Sequence, residues 1–538
     1  MCAMLLTNAR VYTLDGRASV VDTLVVRDGR VAFAGRRGDV NPGVGEAIVD
    51  LRGRVVLPGL SDAHAHLAIL ARTRLALDVA GVASEDEIAR RVAERARRLG
   101  PGEWIGGRGW DQTRWPGAEF PTKASLDRAA PRNPVALVRV DGHATWASSS
   151  ALAAAGIDRT TREPAGGVIV RGPDGEPTGL LVDTAQELIR SVEPKPSEER
   201  LDASVREAIA ECVGRGLTAI HEMGADLDAL ASYRRLIDRG QFPLRVYAAV
   251  SGRKAWAEYG ERGPDAAGDG RLVVGALKLW LDGALGSRGA ALHEPYCDDP
   301  KNVGLVLIPP EDVERLARDA IARGFQVCVH AIGDRANTLV LDAFERVIEA
   351  SRGAIAGHAA PRRLRVEHAQ ILTAADVPRF ARLGVLPSMQ PTHCTSDMRW
   401  APERLGPARL EGAYAWRSLL DTGTIIAGGS DFPVEDPSPF HGIYAAVTRR
   451  PLHGADRGWQ PEQRMTRDEA VRAFTVWNAY ASGQESELGS LEVGKRADLV
   501  VMDDDPFACA EDRLGDIRPV ATAVAGEVVF GAFPGASA

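Results

Sequence analysis

Residues 325–351 read FQVCVHAIGDRANTLVLDAFERVIEAS. The first part is a near-continuous apolar run, rich in β-branched residues, that ends at His330. The second part carries apolar residues at helical spacing. A buried strand followed by an amphipathic helix is one βα unit, and the same beat recurs through the middle of the chain. LTAIHEMG, LRVYAAV, VVGALKLWL, RLRVEHAQIL, GVLPSMQP and TIIAGGSDFP are further candidate strands, and EDVERLARDAIARG is another candidate helix. Near-continuous apolar strands alternating with helices predict a parallel sheet covered on both faces. Many such units in a row predict an α/β fold of the (β/α)8 barrel type. A doubly wound open sheet is the alternative, but no Gly-rich phosphate loop follows the early strands, as a nucleotide-binding version would need.

Outward from this core the pattern changes twice. Up to residue 57, short β-branched runs are separated by Asp-Gly or Arg-Gly, which are hairpin signals. The last stretch, residues 485–538, repeats that character in KRADLVVMDDDP and VATAVAGEVVFG. Strand-rich pieces at both ends predict one small β-sandwich built from both termini; two terminal β modules that never meet are the alternative. The barrel is then expected over 58–484. Within it, residues 68–205 lose the regular beat and are rich in Arg, Trp, Gly and Pro, as in WIGGRGWDQTRWPGAEFP. They read as an insertion after the first barrel strand, with a lid or substrate-binding role.

Composition narrows the function classes. The chain has 538 residues, too long for one ordinary domain unless a large barrel carries additions. With 65 basic against 73 acidic residues the net charge is −8, which argues against a general affinity for nucleic acid or anionic membrane. No apolar run approaches the roughly 18–20 residues that span a bilayer, and the opening MCAMLLTNARVYTL is a poor signal peptide. Six cysteines without CxxC spacing read as reduced thiols of a cytoplasmic protein.

Metal-ligand types sit at the ends of the candidate strands. After VVLPGL comes SDAHAHL, which places His64 and His66 two residues apart. In a strand, that period puts both imidazoles on one face. HxH alone is unspecific, but VCVHAIG ends in His330, RVEHAQ in His368 and TIIAGGSDFP in Asp431. A barrel collects its catalytic side chains at that end of its strands, and several imidazoles with a carboxylate suit zinc or another first-row divalent metal. Lys278, inside the apolar run VVGALKLWLDGALGSR and in phase with Trp280 and Asp282, is the unexpected member. A bare ammonium beside a divalent cation is repelled and poorly solvated. It therefore snorkels to water, pairs with a carboxylate, or is converted by CO2 into a carbamate able to bridge two metals; the residues alone leave these open.

The ordered set LPGLSDAHAHL, GWDQTRWP, DGHATWASSSAL, LKLWLDGALGSR, HAIGDRAN, VEHAQIL, GGSDFPV and GSLEVGKRADLVVMDDDP resembles the amidohydrolase superfamily, in its amidohydrolase-3 branch with the N-substituted formamide deformylase-like proteins, over essentially the whole chain. The resemblance implies a distorted (β/α)8 barrel plus a β-sandwich from both chain ends. It implies that His64 and His66 bind one metal, that His330 and His368 bind a second, that Lys278 bridges as a carbamate, and that Asp431 ligates the first. None of these six positions departs from the pattern. Two zinc ions per chain and a CO2-derived carbamate are the implied cofactors. Water held by such a metal has a pKa lowered to about 7, Asp431 takes its proton and later protonates the leaving nitrogen, and a metal stabilises the oxyanion. The expected activity is hydrolysis of a C–N bond other than a peptide bond, in an amide, formamide, cyclic amide or carbamate.

Further residues carry paired readings. His143, in RVDGHATWASSS, donates to substrate or organises its own loop; Trp110 and Asp111 line a pocket or fold their Trp/Pro-rich loop. Arg288 binds a substrate carboxylate or, preferably, pairs with Asp282. His221 and Glu222 support a metal ligand, Cys328 packs in the core, and His293, His358, His393, His441 and His453 are loop or surface residues. Two other functions compete. A mononuclear ring deaminase would carry a glutamate just after His330, which HAIGDRAN lacks, and would leave Lys278 without a use. A non-enzymatic scaffold would have lost ligands. The expected partner is a small amide-type substrate, with no nucleic acid or membrane, and a homodimer is the default assembly.

Overall fold

The computed structural model describes residues 3–43, 45–140, 142, 144–164, 166–354, 363–454 and 457–535. These form two compact units, Met1–Ala68 with Arg206–Ala538, and Ile69–Val205.

The first unit contains the barrel. Eight strands follow one another: β1 (Leu60–Ala65), β2 (Leu217–Ala225), β3 (Arg245–Ser251), β4 (Leu272–Trp280), β5 (Gln326–Ala331), β6 (Arg365–His368), β7 (Leu386–Met389) and β8 (Ala427–Gly428). Each pairs in parallel with its neighbours in that order. The edges meet where Asp431 N–H donates to His64 O at 2.7 Å and His66 N–H to Phe432 O at 2.9 Å. Asn478 clamps the same seam, donating from Nδ2 to Ser61 O and Gly428 O and accepting at Oδ1 from Gly428 N–H. The quoted unit behaves as read: β5 ends one residue beyond His330, and the helix Asp334–Ala354 follows. This is the parallel α/β barrel, not an open doubly wound sheet.

Both chain ends build the rest of this unit. A four-stranded and a six-stranded sheet enclose one core, with Leu6, Val26 and Val49 from the N-terminal segment against Leu499, Val501 and Ala523 from the C-terminal one. Val55–Pro58 pairs antiparallel with Leu499–Met502, so the two ends share a sheet and the alternative of separate modules falls.

The second unit is a six-stranded mixed sheet with helices Glu85–Ala96 and Lys123–Ala129. Trp110, Trp115 and Trp146 stack around one another in its core, each pair of ring centroids 6.2 Å apart. Each indole N–H is satisfied by a backbone carbonyl, of Leu137, Val82 and Thr122 in turn, as buried tryptophan requires. Trp110 is therefore a packing residue, and its reading as pocket lining is corrected. Asp111 caps the turn that follows, accepting from Thr113 N–H and Oγ1–H, and lies 3.4 Å from Arg139. No helix among the described residues is long and apolar enough to cross a membrane.

Candidate metal centre

Barrel register and backbone geometry bring the predicted ligands together. Pairing of β4 with β5 sets Lys278 opposite Cys328 and Trp280 opposite His330; pairing of β5 with β6 sets His330 opposite Glu367 and Ala331 opposite His368. Just past β8, Gly429 runs so close to β1 that a Cβ there would stand 2.6 Å from His64 N and 2.7 Å from Asp62 Oδ1, so glycine is required. Asp62 ties the same corner by accepting from His64 N–H, Ser430 N–H and Ser430 Oγ–H. His368 and Asp431 hold left-handed φ values of 74° and 61°, a strain of about 1–3 kcal/mol each that persists where surrounding structure enforces it, often at functional sites.

The ligand atoms of His64, His66 and Asp431 all lie within 4.8 Å of one another, and so do those of His368, His393 and Asp431. Asp431 Oδ1 is 3.0 Å from His66 Nε2 and 3.7 Å from His64 Nε2, while Oδ2 is 3.1 Å from His393 Nε2. The ring of His368 lies 4.7 Å from that of His64 and 4.4 Å from that of His330, centroid to centroid. Supporting groups fix the imidazoles. His64 Nδ1 is 2.6 Å from Glu367 Oε2, and His368 Nδ1 is 2.8 Å from Gln390 Oε1. Glu367 is in turn paired with Arg365, which also reaches His221 Nδ1 at 2.9 Å. Glu222 accepts from Ala68 N–H and Tyr233 Oη–H, anchoring the turn after β1.

Burial keeps His64, His330 and His368 neutral. Burial, reinforced by Lys278, lowers His64 to about 4 and His330 to about 3, and burial also holds His368 well below the ordinary value. Burial works to raise the Asp431 carboxyl, but His64, His393 and His66 around it hold it well below the usual range. Burial lowers His393, yet its contacts with Asp431 and Glu435 prevail and lift it to about 10.

Several buried polar atoms here have no hydrogen-bond partner: Lys278 Nζ, His330 Nε2 and Asp431 Oδ1 among the predicted ligands, and Glu222 Oε1 behind them, while Arg365 Nε and Glu367 Oε1 have only their mutual ion pair at 2.8 Å. Buried polar groups are almost always satisfied, and Oδ1 is near His66 without being aligned for a hydrogen bond. Lys278 is 1% exposed, so it does not snorkel, and its amine is lowered by burial. The neutral imidazoles of His64, His330 and His368, an ionised carboxylate and buried ligand atoms left without hydrogen bonds fit a divalent metal.

The remaining predictions divide. Cys328 packs with Met223, Tyr247 and Ala276 as expected. Arg288 pairs with Asp298 at 2.9 Å, so its reading as a partner of Asp282 is corrected; Asp282 instead accepts backbone N–H groups of Ala291, Ile332 and Gly333. His143 and His358 lie outside the described residues. His393 is no surface residue: it sits in the helix Pro391–Asp397 directly after β7 and reaches Asp431. The strand-end rule that found the other histidines finds this one when applied to GVLPSMQPTHC.

Comparison with known proteins agrees with this geometry. The amidohydrolase family model matches residues 47–530. The chain is 34% identical over 532 residues to the putative amidohydrolase YtcJ of Bacillus subtilis, covering 97% of this chain and 98% of that protein. It is 30% identical over 541 residues to the N-substituted formamide deformylase of Arthrobacter pascens, covering 97% of each, and 35% identical over 528 residues to protein LONG AFTER FAR-RED 3 of Arabidopsis thaliana, covering 93% of this chain and 87% of that protein. Among solved structures, an uncharacterized metal-dependent hydrolase from Pyrococcus furiosus aligns with a TM-score of 0.79 at 28% identity, over 94% of this chain and 100% of that one. Matched nearly end to end in both sequence and fold, the chain belongs to the amidohydrolase family.

Proposed function

We propose that this protein hydrolyses a C–N bond other than a peptide bond, in an amide, N-substituted formamide, cyclic amide or carbamate, at a two-metal zinc centre. The observation that carries the reading is Lys278: a buried amine without a hydrogen-bond partner, on the strand beside His330, in a cluster of histidines around one carboxylate. A neutral amine attacks CO2, forming an Nζ–C bond and losing one proton from nitrogen, which yields a carbamate anion. His64, His66 and Asp431 would hold one metal and His330 and His368 the other, with the carbamate between them. When bound, such ions lower the pKa of water toward about 7 and polarise a carbonyl.

The chain's own groups do the proton work. Asp431, kept ionised by the imidazoles around it, accepts the proton of the attacking water and returns it to the leaving nitrogen as the C–N bond breaks. Water adds to the carbonyl carbon, so the products are a carboxylic acid and an amine. Glu367 and Gln390 hold His64 and His368 in the tautomer that presents Nε2 to the centre. A relative whose name specifies N-substituted formamides supports that substrate class. The reading also takes the protein as cytoplasmic and homodimeric.

The test is a panel of N-substituted formamides, N-acyl amines and cyclic amides assayed with zinc-loaded and chelator-treated protein. We expect hydrolysis that disappears on chelation and returns with zinc. His330→Ala should lose metal and activity while keeping its circular dichroism; full activity in that variant would overturn the assignment.

A further inference from the structure

We infer that His393 is a metal ligand, so that the second metal position is completed by a histidine from the β7 end and Asp431 spans both positions with its two oxygens. This rests on the metal-centre reading above and adds a ligand that the resemblance does not supply.

The geometry is specific. Asp431 divides its oxygens: Oδ1 faces His66 Nε2 at 3.0 Å and His64 Nε2 at 3.7 Å, and Oδ2 faces His393 Nε2 at 3.1 Å. Donors ~2.1 Å from one zinc stand roughly 3.4 Å apart at the tetrahedral angle, so all three spacings suit a shared ion. His368 joins the Oδ2 side, its ligand atom within 4.8 Å of those of His393 and Asp431.

Ring orientation provides a second, independent argument. A metal-bound histidine usually turns its other ring nitrogen to a carboxylate, carbonyl or water. His64 does so with Glu367, and His368 with Gln390. His393 has a carboxylate on the same side at a longer, ion-pair distance, with Nδ1 3.6 Å from Glu435 Oε1, an oxygen fixed by Ser396 Oγ–H at 2.6 Å. Its Nε2 faces inward, 3.1 Å from Asp431 Oδ2. An ion there displaces the ring proton, as ligation requires.

The test is zinc titration of the metal-free full-length protein by calorimetry, with the visible spectrum of the cobalt-substituted form as a second readout. Wild type should take up two equivalents. His393→Ala should weaken the second by about 100-fold or more and leave the first within about threefold, with a changed cobalt spectrum. Glu435→Gln, which keeps the ring, should weaken the second by about 10-fold and guards against a folding defect in the alanine variant. If both equivalents and the spectrum are unchanged in both variants, His393 is only a hydrogen-bond partner of Asp431 and the inference fails while the metal centre stands. A single equivalent in wild type also overturns it. No tight metal in wild type overturns the proposed function as well.

Discussion

Two buried polar clusters occupy opposite ends of the barrel, one at the start of β3 and one at the ends of β4, β5 and β8, and they differ in how far they satisfy themselves. At the start of β3, Arg245 grips Asp498 of the sandwich with Nε at 2.6 Å and Nη2 at 3.1 Å, and Asp498 also accepts from Ala525 N–H. Both carboxylate oxygens are used, and both side chains are buried. At the other end, around Asp431, the chain leaves Lys278 Nζ, His330 Nε2 and Asp431 Oδ1 without hydrogen-bond partners. A satisfied network holds a fold; a half-satisfied one costs stability and is retained where something else completes it. The difference separates structural from functional polarity without any appeal to sequence.

The comparison is broken or sharpened most strongly at Asp431. Asp431→Asn keeps the size and removes the base, and should lower kcat/KM on the responsive substrate by about 10²–10⁴-fold, measured by steady-state kinetics; a change under about tenfold would remove Asp431 from the chemistry. The opposite end should respond in stability. Asp498→Ala strands the Arg245 guanidinium and should cost about 3–5 kcal/mol in urea unfolding, with zinc content per folded chain unchanged. Lys278→Met gives the converse result: the metal-free protein should gain about 1–3 kcal/mol, because an unpartnered buried amine is replaced by an apolar chain, while zinc uptake falls. A variant that is less stable and still loads two zinc ions would contradict the contrast.

Acid sensitivity sharpens it further. His330 is held at about 3 in the folded chain by burial and by Lys278, against about 6.5 unfolded. Below pH 6.5 the unfolded chain takes up a proton that the folded one refuses, so this residue's share of stability is present above 6.5 and is lost as pH falls toward 3. Chelator-treated His330→Asn should therefore lose less Tm between pH 7 and pH 5 than wild type does; equal losses would rule the linkage out. The smallest effect is expected at Arg288, whose partner is the surface residue Asp298. Arg288→Ala should change stability by under about 1 kcal/mol and leave kcat/KM within about twofold.

The same contrast explains what the sequence disclosed. The barrel was legible because each strand must be apolar on both faces and each helix on one, which writes two periods into the chain. Ligands at strand ends were legible because His330, His368 and Asp431 interrupt apolar runs. His393 escaped because it lies four residues past the end of β7, inside the following helix, beyond the strand's last residues where the other ligands were sought. Glu367 escaped because its role depends on register: it lies beside His368 in sequence but serves His64 across the barrel. In the second unit, Trp110 reads alike as pocket wall or as core, and only its burial and its bond to Leu137 O decide.

In the proposed centre, two metals and a carboxylated lysine complete the unsatisfied cluster. Elemental analysis of protein expressed with zinc, with intact mass measured under non-denaturing conditions, tests it most directly. Two zinc ions per chain and an added mass of about 44 Da, one CO2 on nitrogen, absent from Lys278→Met, are predicted. Fully folded protein with no tightly bound metal and no adduct, even after reconstitution with zinc and bicarbonate, would contradict it.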